Sequence, residues 1–476
     1  MTRIINRYQY WLLLGLLVLG FTVRLYRINY PIADWHSWRQ ADTAAVTRNF
    51  VKMGVDILHP RYDDFSDVSG QGRLNPQGYR FVEFPLYNLL HFTFFSLGKS
   101  LANLEVWGRL VTIAAALLSS ALLFFIVRRH TDPQTGLLSA FFYLFLPFNI
   151  YFTRVILPDP LMVTLYLAAL NLFDLWITSH KSYFLYLTAI FGALAILVKP
   201  AAVFFLLPIT WWFWKKYKIQ IIKVPQFYIL HFTFLFPFIL WRIWELQYPQ
   251  GIPAGVWLFN GDRIRFRPAF WRWLFGERIG KLILGVWGLF PLASGLTHTV
   301  LFLPWAVSAF LYLLVFATGN VRHDYYQIPI IPTVSIFLAL GTIYLLKQKI
   351  LSRIIVVFSI CMMLGMSWYD IRGNFNVNNW EIIEAGKRID EITPPDAIVV
   401  APYNGDTAFL YQTNRRGFAY LPFPIKDLID RFNATYYVSV NYDTQTREIM
   451  AKYTVLEETP KFVIVKLEEP LKNIKL

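Results

Sequence analysis

Eleven apolar runs constrain this chain more than any other feature of it. They cover residues 8–25, 107–127, 136–152, 155–177, 183–198, 201–214, 226–244, 281–297, 299–317, 326–346 and 351–368. A membrane-crossing helix needs about 20 apolar residues, with shorter stretches tolerated. Only 16% of the 476 residues are charged and 56% are hydrophobic, so a water-soluble fold is excluded. The runs predict a polytopic α-helical membrane protein with about 11 transmembrane helices. The first run has no small-residue cleavage pattern after it and reads as a retained span. Lys199-Pro200 divides 183–214 into two short halves, or one broken helix beside a cavity. The single cysteine, Cys361, precludes an intrachain disulfide and a cysteine metal cluster.

Basic residues orient the runs. Arg128-Arg129, Lys215-Lys216 with Lys218 and Lys223, and Lys347, Lys349 and Arg353 fall on the side of the N-terminus. Short basic loops belong in the cytoplasm. The net charge of +15 therefore reads as topology signal and contact with membrane lipids, not nucleic acid. The other side receives a large first loop, 26–106, the loops around Asp159, 249–281 and 322–325, and the C-terminal region. The predicted domains are 1–370 in the membrane and 371–476 as a small extracytoplasmic α/β domain. The latter would hold a helix over 381–392 and strands near 397–401, 434–440 and 462–467, without a nucleotide-binding glycine pattern. In the first loop, 81–98 reads as an interfacial helix. Asp63, Asp64 and Asp67 read as a solvated loop, since their spacing does not fit an EF-hand.

Chemistry concentrates at the outer span ends. In 33–50, a helix capped by Asp34 would put Trp38 and Asp42 on one face. Either Asp34 or Asp42 could act as a general base; the alternative is an interfacial helix whose charges face water. His36, Arg39, Gln40, Glu83, Arg109, Asp159, Lys199, His323, Tyr325 and Tyr326 lie on the same face. Each has a local explanation, as a cap, a snorkelling lysine or a belt tyrosine. Their coincidence predicts one substrate-binding cavity. Arg263, Arg265, Arg267 and Arg272, beside tryptophans, could grip a lipid-linked phosphate. Scattered histidines and carboxylates could bind a divalent metal, but none is obligatory and no metal ligand is assigned.

The pieces DWHSWRQADTAAVTRNF, EFPLYNLL with EVWGRL, RVILPDPLM, LVKPAA and HDYYQIPIIP span nearly all of 1–370. In that order they resemble the type C glycosyltransferases, specifically bacterial members similar to protein O-mannosyltransferases and lipid A aminoarabinose transferases. The resemblance implies a polyprenyl-phosphate-linked sugar donor, an extracytoplasmic acceptor (glycan, lipid or protein), inversion at the anomeric carbon and a bacterial inner membrane. It also implies that a first-loop aspartate deprotonates the acceptor. The family often has adjacent Asp-Glu there; here Asp34 precedes Trp35, and Asp42 is a second candidate. The lysine of the aminoarabinose transferases' Pro-Pro-Leu motif is missing from Glu83-Phe84-Pro85, so Arg39, Arg109 or Lys199 would meet the phosphate. Two other functions fit such a chain: a lipid-linked glycan flippase or transporter, and an O-antigen-type polymerase.

Overall fold

The computed structural model describes residues 2–468. The chain forms two compact units: Met1–Ile28 with Arg109–Trp244 and Gly255–Asn374, and Asn29–Gly108 with Glu245–Ala254 and Phe375–Leu476.

The first unit is helical. Among the described residues five helices are long and apolar enough to cross a membrane: Leu104–His130, Asp159–Ser179, Pro225–Glu245, Asp324–Leu346 and Ile350–Phe375. The remaining runs also become helix, but several are broken. Run 136–152 opens on Asp132, whose carboxylate accepts the N–H groups of Gln134 and Thr135 at 2.9 and 3.0 Å. It then divides into Pro133–Phe145 and Pro147–Phe152, because Pro147 offers no N–H and holds Leu146 at ψ 120°. Run 155–177 becomes helical only at Asp159. Run 281–297 is not one helix: a π-helix over Arg272–Ile283 ends near Gly285, and Leu289–His298 follows.

Run 183–214 breaks where Lys199-Pro200 predicts. Pro200 disfavours helical geometry at the residue before it, and Lys199 is extended (φ −153°, ψ 124°) between Ser182–Val198 and the helices Ala202–Phe205 and Leu207–Tyr217. Helices Leu289–His298 and Ile331–Leu346 meet backbone to backbone. A Cβ on Gly341 would lie 1.8 Å from the Pro291 carbonyl oxygen, and one on Gly295 would lie 2.0 Å from that of Phe337. Small residues are how membrane helices approach this closely.

The second unit holds helix Ser37–Met53, helix Leu86–Gly98, helix Glu381–Ile392 and a five-stranded sheet. Its strands are β1 (Ile398–Val400), β2 (Arg416–Phe418), β3 (Ala434–Ser439), β4 (Thr454–Glu458) and β5 (Val463–Lys466), in the order β2-β1-β3-β5-β4. β1 is parallel to β2 and β3; β5 is antiparallel to β3 and β4. Val400, Phe418, Tyr437, Val463 and Val465 form its core, joined by Phe65 of the first loop. That loop also covers the β2 edge, where Phe65 N–H donates to Gly417 and Gly417 N–H donates to Asp63. Asp63 and Asp64 are consequently buried, not solvated: Asp63 pairs with Arg48, and Asp64 accepts from Ser66 and from the Ala419 N–H.

Gly341→Leu should collapse the helix contact, lowering stability by at least about 3 kcal/mol and leaving little monodisperse protein after detergent extraction. Gly365→Ala, where the added Cβ meets no atom within 4 Å, should change the melting free energy by less than about 1 kcal/mol.

Candidate functional site

In the second unit, helix Ser37–Met53 carries a polar network on buried backbone. Alanines and the absence of internal glycine and proline favour the helix, and Gly54 at φ 89° stops it. Nearly every side is buried, Arg39, Gln40, Asp42 and Asn49 included. An interfacial helix with its charges in water is thereby ruled out. The N-cap is His36 in the left-handed region (φ 55°), not Asp34. Asp34 instead precedes the helix; its backbone carbonyl accepts the Ser37 N–H at 3.1 Å, and its Oδ1 accepts Gln40 Nε2 at 2.6 Å. The Asn378 amide donates to the same carbonyl at 3.2 Å.

Buried charges must be paired, and here the pairs are specific. Arg39 is bound to Glu83, so its guanidinium is already compensated. Asp42 is bound to Arg80 through one oxygen, and its other oxygen accepts Thr407 Oγ1 at 2.6 Å. Asp406 lies beside them, accepting the Ala408 N–H at 2.7 Å and Ser37 Oγ at 3.4 Å. Burial, with the Asp42 charge adding to it, pushes the Asp406 carboxyl up to about 6. Arg80, Asp406 and Thr407 were not legible in the sequence: Arg80 lies in an unpatterned stretch, and Asp406-Thr407 follows a lone Gly405.

The first unit assembles a second cluster. Asp159 opens helix Asp159–Ser179, at its positive end and next to Pro160. The extended Lys199 donates to Asp159 Oδ1 at 2.5 Å, with its ammonium 5.3 Å from the ring centroids of both Tyr325 and Tyr326. His323 stacks on those rings at 5.6 and 6.1 Å and meets Trp257 edge-on at 5.6 Å. Arg278 pairs with Asp324. An ammonium has three donors and Asp159 takes one, so this group can still bind a phosphate oxygen. Arg109 is fully buried on helix Leu104–His130, and within this unit it donates to the Ile28 carbonyl at 2.6 Å. Among the described residues no three or more histidines, cysteines or carboxylates stand together to hold a metal ion.

Residues 86–244, a third of the chain, match the family of dolichyl-phosphate-mannose-protein mannosyltransferases. No curated protein matches the chain in sequence. The fold is similar to that of ArnT from Cupriavidus metallidurans, solved bound to undecaprenyl phosphate, with TM-score 0.68 and 12% identity over 96% of this chain and 97% of that one. It is also similar to the oligosaccharyltransferase of Archaeoglobus fulgidus (TM-score 0.57, 12% identity, 90% and 69% covered). That enzyme in complex with Zn and sulfate gives TM-score 0.53 at 12% identity, covering 89% and 67%. The chain thus shares the fold of these membrane glycosyltransferases, and a third of it matches a mannosyltransferase family.

The second unit keeps a carboxyl that resists ionisation, Asp406, next to the fully engaged Asp42. A raised carboxyl opposes folding when it is charged: the folded state holds its proton between the ordinary value of 3.8 and about 6, and that advantage is lost as pH rises through 6. Asp406→Asn, whose Oδ1 still accepts the Ala408 N–H while its Nδ2 can donate to Ser37 Oγ, should therefore raise the melting temperature at pH 7.5. The gain, on the order of 1–3 kcal/mol, should vanish by about pH 4. Melting curves of both proteins across that range measure it.

Proposed function

We propose that this protein is a membrane glycosyltransferase that moves a sugar from a polyprenyl-phosphate donor to a hydroxyl of an extracytoplasmic acceptor, inverting the anomeric carbon. The observation that carries the reading is the cluster of Asp159, Lys199, Tyr325 and Tyr326, drawn from three distant segments. A cation held between a carboxylate and two aromatic faces is suited to a phosphate leaving group. The ArnT fold bound to undecaprenyl phosphate supports the same donor class. In the reaction the acceptor oxygen forms a bond to the anomeric carbon, the bond from that carbon to phosphate breaks, and the acceptor proton passes to a carboxylate. Lys199 neutralises the charge that develops on the departing polyprenyl phosphate.

Asp34 is the better base. Asp42 already spends both oxygens on Arg80 and Thr407 and is a positioning group for the helix. Gln40, bonded to Asp34, orients that carboxylate. His36, His323 and Trp257 offer surfaces for sugar or acceptor, and Arg109 a second contact to the donor. Arg39 and Glu83 serve as a compensated pair, so Arg39 is not assigned to the phosphate. This reading retains about eleven spans, a cytoplasmic N-terminus in a bacterial inner membrane, a membrane domain over 1–370 and an outer domain over 371–476.

Purified protein supplied with radiolabelled polyprenyl-phosphate sugars and membrane extract should release label from the lipid. Asp34→Asn should lower kcat by about 10²–10⁴-fold with the fold intact. Asp42→Asn should chiefly destabilise, by about 3–5 kcal/mol, because it strips Arg80 of its counter-charge. Label that crosses vesicle membranes while still on its lipid would instead establish a flippase, the reading favoured by the break at Lys199-Pro200.

A further inference from the structure

A cavity of about 300 Å³, with charged residues among a largely apolar lining, lies in the first unit far from the Lys199 cluster. It is lined by His130, Asp174, Trp212, Lys215, Lys216 and Trp305 among others. Asp174 stands fifteen residues beyond Asp159 on one helix, about 22 Å of helix rise away. The only carboxylate in the lining is already satisfied. Asp174 accepts Arg129 Nε at 2.6 Å through one oxygen and contacts His130 Nε2 at 2.9 Å through the other. Arg129 is held on its far side by Asn171 at 2.7 Å, and the His130 ring stacks on Trp212 at 5.9 Å.

The lysines are the uncompensated charge. Among the described residues neither Lys215 nor Lys216 is paired with a carboxylate. Lys216 rests on the Trp176 ring at 5.1 Å with its Nζ 3.4 Å from His180 Nδ1. Both lysines are exposed, and Trp211 and Trp214 beside them are 44% and 46% exposed. A positive mouth, a neutralised floor and a rim of exposed indoles match the headgroup depth of a bilayer. The cavity is also at the ends of helices Leu104–His130, Asp159–Ser179 and Leu207–Tyr217, where a spanning helix leaves the hydrocarbon.

We propose that this cavity binds a phosphate group, presented by an anionic lipid whose headgroup enters between the lysines and the indole rings. The site is separate from the transfer chemistry and does not rest on it.

Native mass spectrometry of the full chain in detergent tests it, with phosphatidylglycerol, phosphatidylcholine and inorganic phosphate as probes. Phosphatidylglycerol should bind in preference to phosphatidylcholine. The double variant Lys215→Gln, Lys216→Gln should weaken that binding by about fivefold per lysine, while Lys347→Gln, Lys349→Gln should leave it unchanged. Inorganic phosphate that displaces the lipid in a lysine-dependent manner would identify a soluble phosphate as an alternative source of the same group. Failure to displace it would leave the lipid as the source. Equal binding of the two lipids, or equal loss in both double variants, would overturn the site.

Discussion

A charge removed from water must find its counter-charge inside the protein, and helix Ser37–Met53 is built around that requirement. Its sequence has the alanine content of a helix, but its charged side chains do not form a solvated stripe. Three of them are matched by residues from elsewhere in the unit: Arg39 by Glu83, Asp42 by Arg80 and Thr407, and Arg48 by Asp63, while the exposed Lys52 donates to Asn414. The first loop and the C-terminal sheet supply those partners. Removing one partner from a buried pair is more damaging than never having built the pair, so each match ties a distant stretch of chain to this helix.

The same requirement separates two aspartates that look equivalent in the sequence. Asp34 and Asp42 are eight residues apart and equally acidic in isolation. One accepts from the neutral amide of Gln40, whereas the other is fixed by a guanidinium and a hydroxyl. Partner identity, not residue type, distinguishes their surroundings.

Much of the architecture was legible because it follows from local rules. Apolar length marked where helices form, Pro200 marked the break that frees Lys199, and short runs rich in β-branched and aromatic residues marked β1, β3 and β5. Short strands with mixed composition, such as β2 in Arg416–Phe418 and β4 in Thr454–Glu458, carry no such period and were missed. Lys199 and Asp159 were identifiable as unusual charges at span ends, and so were Tyr325 and Tyr326. The contacts among them, and Arg80 opposite Asp42, depend on how segments far apart in sequence fold together. No single-sequence pattern encodes that.

Thr407 and Asp42 are 365 residues apart in the chain, and ribosomes add residues at roughly 5–20 per second. The carboxylate of the first loop is therefore synthesised roughly 20–70 s before the hydroxyl that holds it. The β2 edge that the loop covers is made equally late. During that interval the acidic residues exist without the scaffold that orients them. A chain cut short anywhere before its sheet would carry Asp42 without Thr407, and a first loop without the strand edge it covers.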